Sequence, residues 1–259
     1  EGRAARDRPA PSPDAVVDPL EGHEHLCTLV YLHGHTRTGA EYLDEGPLGL
    51  CMPWNSGGER AGGLRAVLPT ARTLVQPWGD VEPSWYRYAT AHDNHVGDLA
   101  SLEETRRRLG ELVWEEVARL GGAGRRVFLG GASQGCTVAL DVYLREASSL
   151  RLGGFVGSIG FMPGDGFGFP GANRALVRLM ADSSQANMPI WIQCATDDNS
   201  AVPWHRVVKP SFQRLTRGEL PGFLAREVEG RKHAIDDWEA HIVNDFFRKH
   251  MSDMYSSPM

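Results

Sequence analysis

Short apolar runs alternate along the chain with longer stretches whose apolar residues recur at helical spacing, and this alternation predicts strands and helices in turn. Leu26 to Leu32 is a continuous apolar strand candidate that stops at His33-Gly34. Leu64 to Leu68 and Thr73 to Val75 form a second strand region ending near Pro77. From Ser101 to Leu120, the positions Leu102, Leu109, Leu112, Val113, Val117 and Leu120 mark one helical face, and Gly121-Gly122 supplies a stop. A strand at Val127 to Leu129 follows, then a helix from Gln134 to Arg145, a strand from Gly154 to Phe161, a helix from Ala172 to Met180 and a strand from Ile190 to Cys194. Ala225 to Val228 gives a last short strand, and Ile235, Trp238, Ile242, Val243, Phe246 and Phe247 mark the face of a closing helix. Repeated strand-helix units predict an α/β fold with a mostly parallel central sheet and helices on both faces. No internal repeat is visible.

Length agrees with one unit of this kind: 259 residues is ample for a single α/β domain, expected here over 15–259, after a disordered tail at 1–14. The Gly- and Pro-rich stretch from Asp44 to Gly63 is long for a connection and carries Leu48, Leu50, Met52 and Trp54, so it reads as an inserted loop or partial lid. With a net charge of −6 and scattered basic residues, nothing resembles a nucleic-acid footprint, and no nucleic-acid partner is expected. The longest basic run, Arg106-Arg107-Arg108, lies among glutamates and is expected to be a solvated face. The four cysteines have no C-x-x-C spacing; Cys27, Cys136 and Cys194 lie in or beside apolar segments as reduced side chains do, and a cytoplasmic setting is expected. No apolar run approaches the roughly 20 residues of a transmembrane helix.

The candidate chemistry centres on Gly131-Ala132-Ser133-Gln134-Gly135, which joins a predicted strand to a predicted helix. This is the strand, sharp turn and helix of a G-x-S-x-G nucleophile elbow, where small flanking residues relieve collisions and expose the serine hydroxyl. A serine nucleophile needs a histidine base, and the histidine needs an acid to fix its tautomer. On this type of sheet the order is Ser, acid, His. His233 is the expected base: His241 and His250 fall in the closing helix, and His205 leaves no room for a strand between it and the acid. The acid is sought just after the strand ending at Cys194, where Asp198 is preferred and Asp197 remains open. The backbone amides of Gln134 and His35 are the expected oxyanion donors. The pairs His33/His35, His23/His25 and His92/His95 lack a third ligand, so no metal is expected.

Taken together, these residues resemble the acyl-protein thioesterase, phospholipase and carboxylesterase family of α/β-hydrolases, over roughly 16–247. The resemblance rests on Leu32-His33-Gly34 with Thr38-Gly39, Pro83-Ser84-Trp85-Tyr86, Gly130 through Gly135, Gly157 through Pro163, Asp197-Asp198 before Val202-Pro203, and Gly230 with His233. It implies an α/β-hydrolase fold, a triad of Ser133, an acid at 197–198 and His233, and oxyanion donors at His35 and Gln134. It also implies cofactor-free cleavage of acyl thioesters or carboxylesters, with a lipidated protein or lysophospholipid among the candidate substrates. An apolar acyl groove is expected from Trp54 of the insertion, from Trp85, and from Phe161, Met162 and Phe167 after the sixth strand region. The chain departs from the family pattern at Thr36-Arg37, where such loops commonly read Gly-Asp, and at Cys194-Ala195, where they commonly read His-Gly. The alternatives are a small-molecule carboxylesterase or lysophospholipase and, from another class, a binding protein that has kept the pocket without turnover.

Overall fold

The structure is a computed structural model that describes residues 14–43, 50–55, 60–91, 93–199, 201–213 and 220–252. Its frame is a seven-stranded sheet. The strands are β1 (Ala15–Val17), β2 (Cys27–Leu32), β3 (Leu64–Leu68), β6 (Val127–Ala132), β7 (Gly154–Ser158), β8 (Ile190–Ala195) and β9 (Phe223–Val228), in the spatial order β1-β3-β2-β6-β7-β8-β9. All neighbours run parallel except β1, which pairs antiparallel with β3. Every residue of β2, β6 and β7 is buried, as expected of parallel strands covered on both faces. The sequence did not announce β1, whose three residues are too few to show a period. Thr73–Val75 is β4, but it does not extend the main sheet: it pairs antiparallel with β5 (Val81–Pro83) in a separate two-stranded ribbon.

Helices α1 (Leu99–Arg119), α2 (Gln134–Leu150) and α3 (Ala172–Ala181) contribute Leu102, Leu109, Val113, Val138, Tyr143 and Leu176, among others, to one apolar layer. Asp98 caps α1 by accepting from the amides of Ala100 and Ser101, and Gly121 and Gly122, both at positive φ, carry the chain away from its end. Short helices α4 (Ser183–Ala186) and α5 (Lys209–Phe212) complete that side. The other layer is built on α6 (Asp237–His250), whose Ile242, Val243, Phe246 and Phe247 are fully buried against Tyr31, Phe128 and Val156. Each such aromatic or aliphatic side chain contributes about 1.5–3 kcal/mol by leaving water. Trp238, expected on this face, is 42 % exposed: in the first turn of α6 it is Glu239 and Ala240 that turn inward.

Two further expectations change. The run Arg106-Arg107-Arg108 is not a uniformly solvated face. Arg106 is buried and pairs with Asp141 of α2 at 2.6 Å and with Glu103 at 2.6 Å, while Arg108 donates to Thr70 O at 2.7 Å; only Arg107 stands in solvent. The described part of the 44–63 insertion is not a lid either. Leu50, Met52 and Trp54 are buried in the layer under α6, and the Trp54 indole N–H donates to Tyr42 O at 2.7 Å. Leu48 and residues 1–13 of the tail expected at 1–14 lie outside the described residues; Asp14 is held by the Thr70 amide, which donates to its carboxylate at 3.0 Å. Cys27, Cys136 and Cys194 are free thiols buried in the core, and burial pushes the Cys194 thiol up to about 12. Among the described residues no helix is long and apolar enough to cross a membrane.

Candidate active site

Ser133 sits between β6 and α2 at φ 53°, ψ −122°, a strained conformation for a side-chain-bearing residue. The flanking glycines have steric reasons to be there. A Cβ on Gly131 would lie 2.7 Å from Leu32 O, and one on Gly135 would lie 2.3 Å from His33 O. Only bare backbone lets the elbow lie against the end of β2. The Ser133 amide donates to Ser158 O at 2.9 Å, which ties the turn to β7 and aims the hydroxyl away from the sheet.

His233 arrives from the loop between β9 and α6. Its Nε2 is 2.8 Å from Ser133 Oγ and its Nδ1 is 2.7 Å from Asp198 Oδ2. Asp198 is buried and also accepts from the amides of Ala201 at 3.1 Å and Val202 at 2.9 Å, whereas Asp197 is exposed. Of the two aspartates left open by the sequence, the structure thus brings Asp198 to the histidine. With Nδ1–H donating to the carboxylate, Nε2 is free to accept the serine proton, and the buried negative charge balances the imidazolium that would form.

Two backbone amides belong to residues beside the nucleophile: Gln134 follows Ser133 in the chain, and His35 lines the same cleft. Gln134 is the first residue of α2, so the helix makes no use of its N–H, and neither this amide nor that of His35 donates to an acceptor among the described residues. The side chain of Gln134 has a separate task. It accepts from the Trp85 amide at 2.9 Å and donates to Ser84 Oγ and Tyr86 O, both at 3.0 Å, which locks the Pro83-Ser84-Trp85-Tyr86 segment onto the elbow. This explains why the two motifs occur together. His33, fully buried, shapes the opposite loop: its Nε2 accepts from the Ala71 amide at 2.9 Å, its Nδ1–H donates to Gly34 O at 2.7 Å, and burial lowers its pKa to about 4. It is therefore a neutral structural imidazole. His35 is likewise lowered to about 4 by burial, and Glu82 beside it is raised, chiefly by desolvation. Their 3.1 Å contact is not aligned as a hydrogen bond, and with the imidazole neutral it does not count as an ion pair.

One contributor was not legible in the sequence. Arg231, whose side chain is 2 % exposed, donates to both oxygens of Asp236, to Ala234 O at 3.0 Å and to Ser158 Oγ at 3.2 Å, while its own carbonyl accepts from the Asp197 amide at 2.9 Å. It pins the His233 loop to β7 and to the acid loop at once. The available signal was an arginine two residues before the candidate base with an aspartate five positions beyond it.

The cleft over Ser133 and His233 has a volume of about 440 Å³ and is walled by the 34–37 loop, Tyr88, Asn94, Ala201-Val202 and Ala234-Ile235. The expected apolar lining is not in this wall. Trp54 is in the core beneath α6, as described. Trp85 is buried under the oxyanion loop, with its indole N–H on His33 O at 2.8 Å. Phe161 and Met162 are buried in the layer beneath α2 and α3, and Phe167 is half-buried between Phe161 and His95. Apolar character in a Gly- and Pro-rich connection signals burial without telling core from pocket.

The profile of the phospholipase/carboxylesterase family matches residues 67–251. An acyl-protein thioesterase 1 of Yarrowia lipolytica is 29 % identical over 142 residues, which cover 54 % of this chain and 59 % of that protein; the chain thus matches less than two thirds of that relative's length. An acyl-protein thioesterase 1 homolog of Dictyostelium discoideum is 22 % identical over 87 % of this chain and 91 % of its own length. Among solved structures, the acyl-protein thioesterase 2 of Zea mays superposes with a TM-score of 0.67 at 17 % identity, over 94 % of this chain and 99 % of the maize chain.

Proposed function

The chain belongs to the phospholipase/carboxylesterase family and has the α/β-hydrolase fold, and from that premise we propose that it is a serine hydrolase that cleaves acyl thioesters or carboxylesters through an acyl-enzyme on Ser133. The observation that carries the reading is the unbroken relay from Ser133 Oγ to His233 Nε2 at 2.8 Å and from His233 Nδ1 to Asp198 Oδ2 at 2.7 Å. In the first step Ser133 Oγ bonds to the acyl carbon while His233 takes its proton, and the oxyanion accepts from the amides of His35 and Gln134. Collapse of the tetrahedral species breaks the bond to the leaving thiol or alcohol, which takes the proton from His233. Water then attacks the acyl-enzyme by the same sequence, with His233 again as base, and releases the acid and Ser133. No step calls on a cofactor. The cleft wall favours small or polar acyl groups over a long apolar chain, because the aromatic residues expected to hold such a chain are packed elsewhere.

The test pairs a fluorophosphonate probe with a set of acyl esters and thioesters of graded length. Labelling of the purified protein at Ser133, turnover of at least one substrate, and loss of both in Ser133→Ala are expected. A protein that is folded but neither labelled nor active is a binding protein and not a hydrolase.

A further inference from the structure

Resting on the serine-hydrolase reading, we propose that the ester or thioester cleaved at Ser133 bears a negative charge close to its scissile carbonyl, and that Arg37 and Asn94 recognise it. Arg37 lines the cleft that holds Ser133 and His233, and among the described residues of that wall it is the one with a permanent charge. Its engagement by the protein is slight. One contact of 3.4 Å joins it to Glu41, and the other oxygen of Glu41 is taken by the Thr38 amide at 2.8 Å. A guanidinium has five N–H donors, so most of its fork faces the cleft mouth unused. The loop that carries it is held in place: Thr36 is at φ 68° with its amide on Pro83 O at 3.0 Å, and the Arg37 amide donates to Gly34 O at 3.2 Å. The backbone that carries the charge is therefore held two residues after His35 in the same turn, with the long side chain free to reach into the cleft.

Asn94 supplies a second, independent observation. It is only 6 % exposed and lines the same cleft, and its side-chain amide has no hydrogen-bond partner among the described residues; only its backbone carbonyl is used, by the Tyr86 hydroxyl at 3.4 Å. An amide so placed, with no protein partner, is open to water or to a ligand group entering the cleft. Among the described cleft-lining residues none is a carboxylate: His35 is neutral, and Thr36 and Tyr88 add a hydroxyl and a ring; Glu41, 3.4 Å from Arg37, and Glu82, 3.1 Å from His35, lie outside that lining. A cation and an open amide beside the nucleophile, with no aromatic lining among the described residues of the cleft wall apart from Tyr88 and the two histidines, fit a short carboxylate-bearing acyl group or a carboxylate-bearing leaving group.

Two matched substrate pairs separate those sources. p-Nitrophenyl hemisuccinate against p-nitrophenyl butyrate places the charge on the acyl side, and the butyryl thioester of 3-mercaptopropionate against that of ethanethiol places it on the leaving side. At least one charged partner is expected to exceed its neutral match in kcat/KM by about tenfold at low salt, the size of a charge-assisted contact at a half-exposed site. The ratio should fall toward one in Arg37→Gln, recover in Arg37→Lys, shrink in Asn94→Ala and decline in the wild type as salt is added. Fluorophosphonate labelling of each variant reports that the site is assembled. Ratios near one for both pairs in a labelled, active wild type overturn the charge reading alone, as does a preference that survives Arg37→Gln. Absence of both labelling and turnover in the wild type overturns this proposal together with the hydrolase reading.

Discussion

The loops that follow β2 and β9 each present histidine at the carboxyl edge of the sheet, and they put it to opposite uses. After β2, His33 has backbone partners on both ring nitrogens and is held neutral inside the protein, packed against the Trp85 ring; it fixes the course of the chain. After β9, His233 has an acid on one nitrogen and a hydroxyl on the other. Burial does not make an imidazole reactive. The partners on its two nitrogens decide: here a backbone pair gives a strut, while a carboxylate and a serine give the arrangement that the proposed proton relay requires.

The sharpest way to break this contrast is at the relay. Asp198→Asn removes the acceptor that fixes the His233 tautomer and should lower kcat by roughly 10³- to 10⁴-fold, while Asp197→Asn, which alters an exposed side chain, should stay within a few-fold. Steady-state kinetics on both variants decides it. Equal activities would remove Asp198 from the relay.

A smaller effect is expected one residue further out. Arg231→Met deletes the clamp between the His233 loop and β7 without touching the relay itself, so kcat should fall about 10- to 100-fold with KM little changed, as for a mispositioned base. Breaking a buried ion pair also leaves Asp236 uncompensated, and a stability loss of up to about 3 kcal/mol in urea unfolding should accompany it. An unchanged kcat in a destabilised variant would make Arg231 purely structural.

At the strut the expected signature is in stability and its pH dependence. The folded protein lowers the His33 pKa from 6.5 to about 4, so between these values the unfolded chain binds the extra proton. Stability from this group is therefore complete above 6.5 and is lost as pH falls toward 4, a change on the order of 3 kcal/mol. His33→Ala should be less stable at pH 7.5, with the Ala71 amide left unpaired, and should lack that part of the acid slope. Unfolding at a series of pH values checks it. Glu239 opposes the trend. Buried against Tyr31, it is raised from 4.5 to about 7, so its contribution is lost as pH rises through that range, and the His33 part is read as the difference between wild type and variant.

What the sequence disclosed follows the same division between local and distant causes. The elbow was legible because its glycines, serine and flanking strand and helix are contiguous, and His233 was legible because chain order leaves few histidines after the last strand. The choice between Asp198 and Asp197 needed the turn geometry, which no periodicity encodes. Arg231, Tyr88 and Asn94 became visible only when strands far apart in sequence were set side by side. Trp54, Phe161 and Met162 were assigned to the pocket on their apolar character, and packing placed them in the core instead, because a side chain that avoids water is satisfied equally by either. β1 and the β4–β5 ribbon were missed or misjudged for being three residues long.

Ser133 and His233 are 100 positions apart, and the second of them hangs from β9, the outermost strand of its side of the sheet, paired on one flank only. Edge strands open at lower free energy than central ones. A brief detachment of β9 would part base from nucleophile while β2, β6 and β7 kept their hydrogen bonds and their spectroscopic appearance. Under the proposed chemistry, turnover becomes a gauge of the rim and is expected to fade on warming before the body of the sheet gives way.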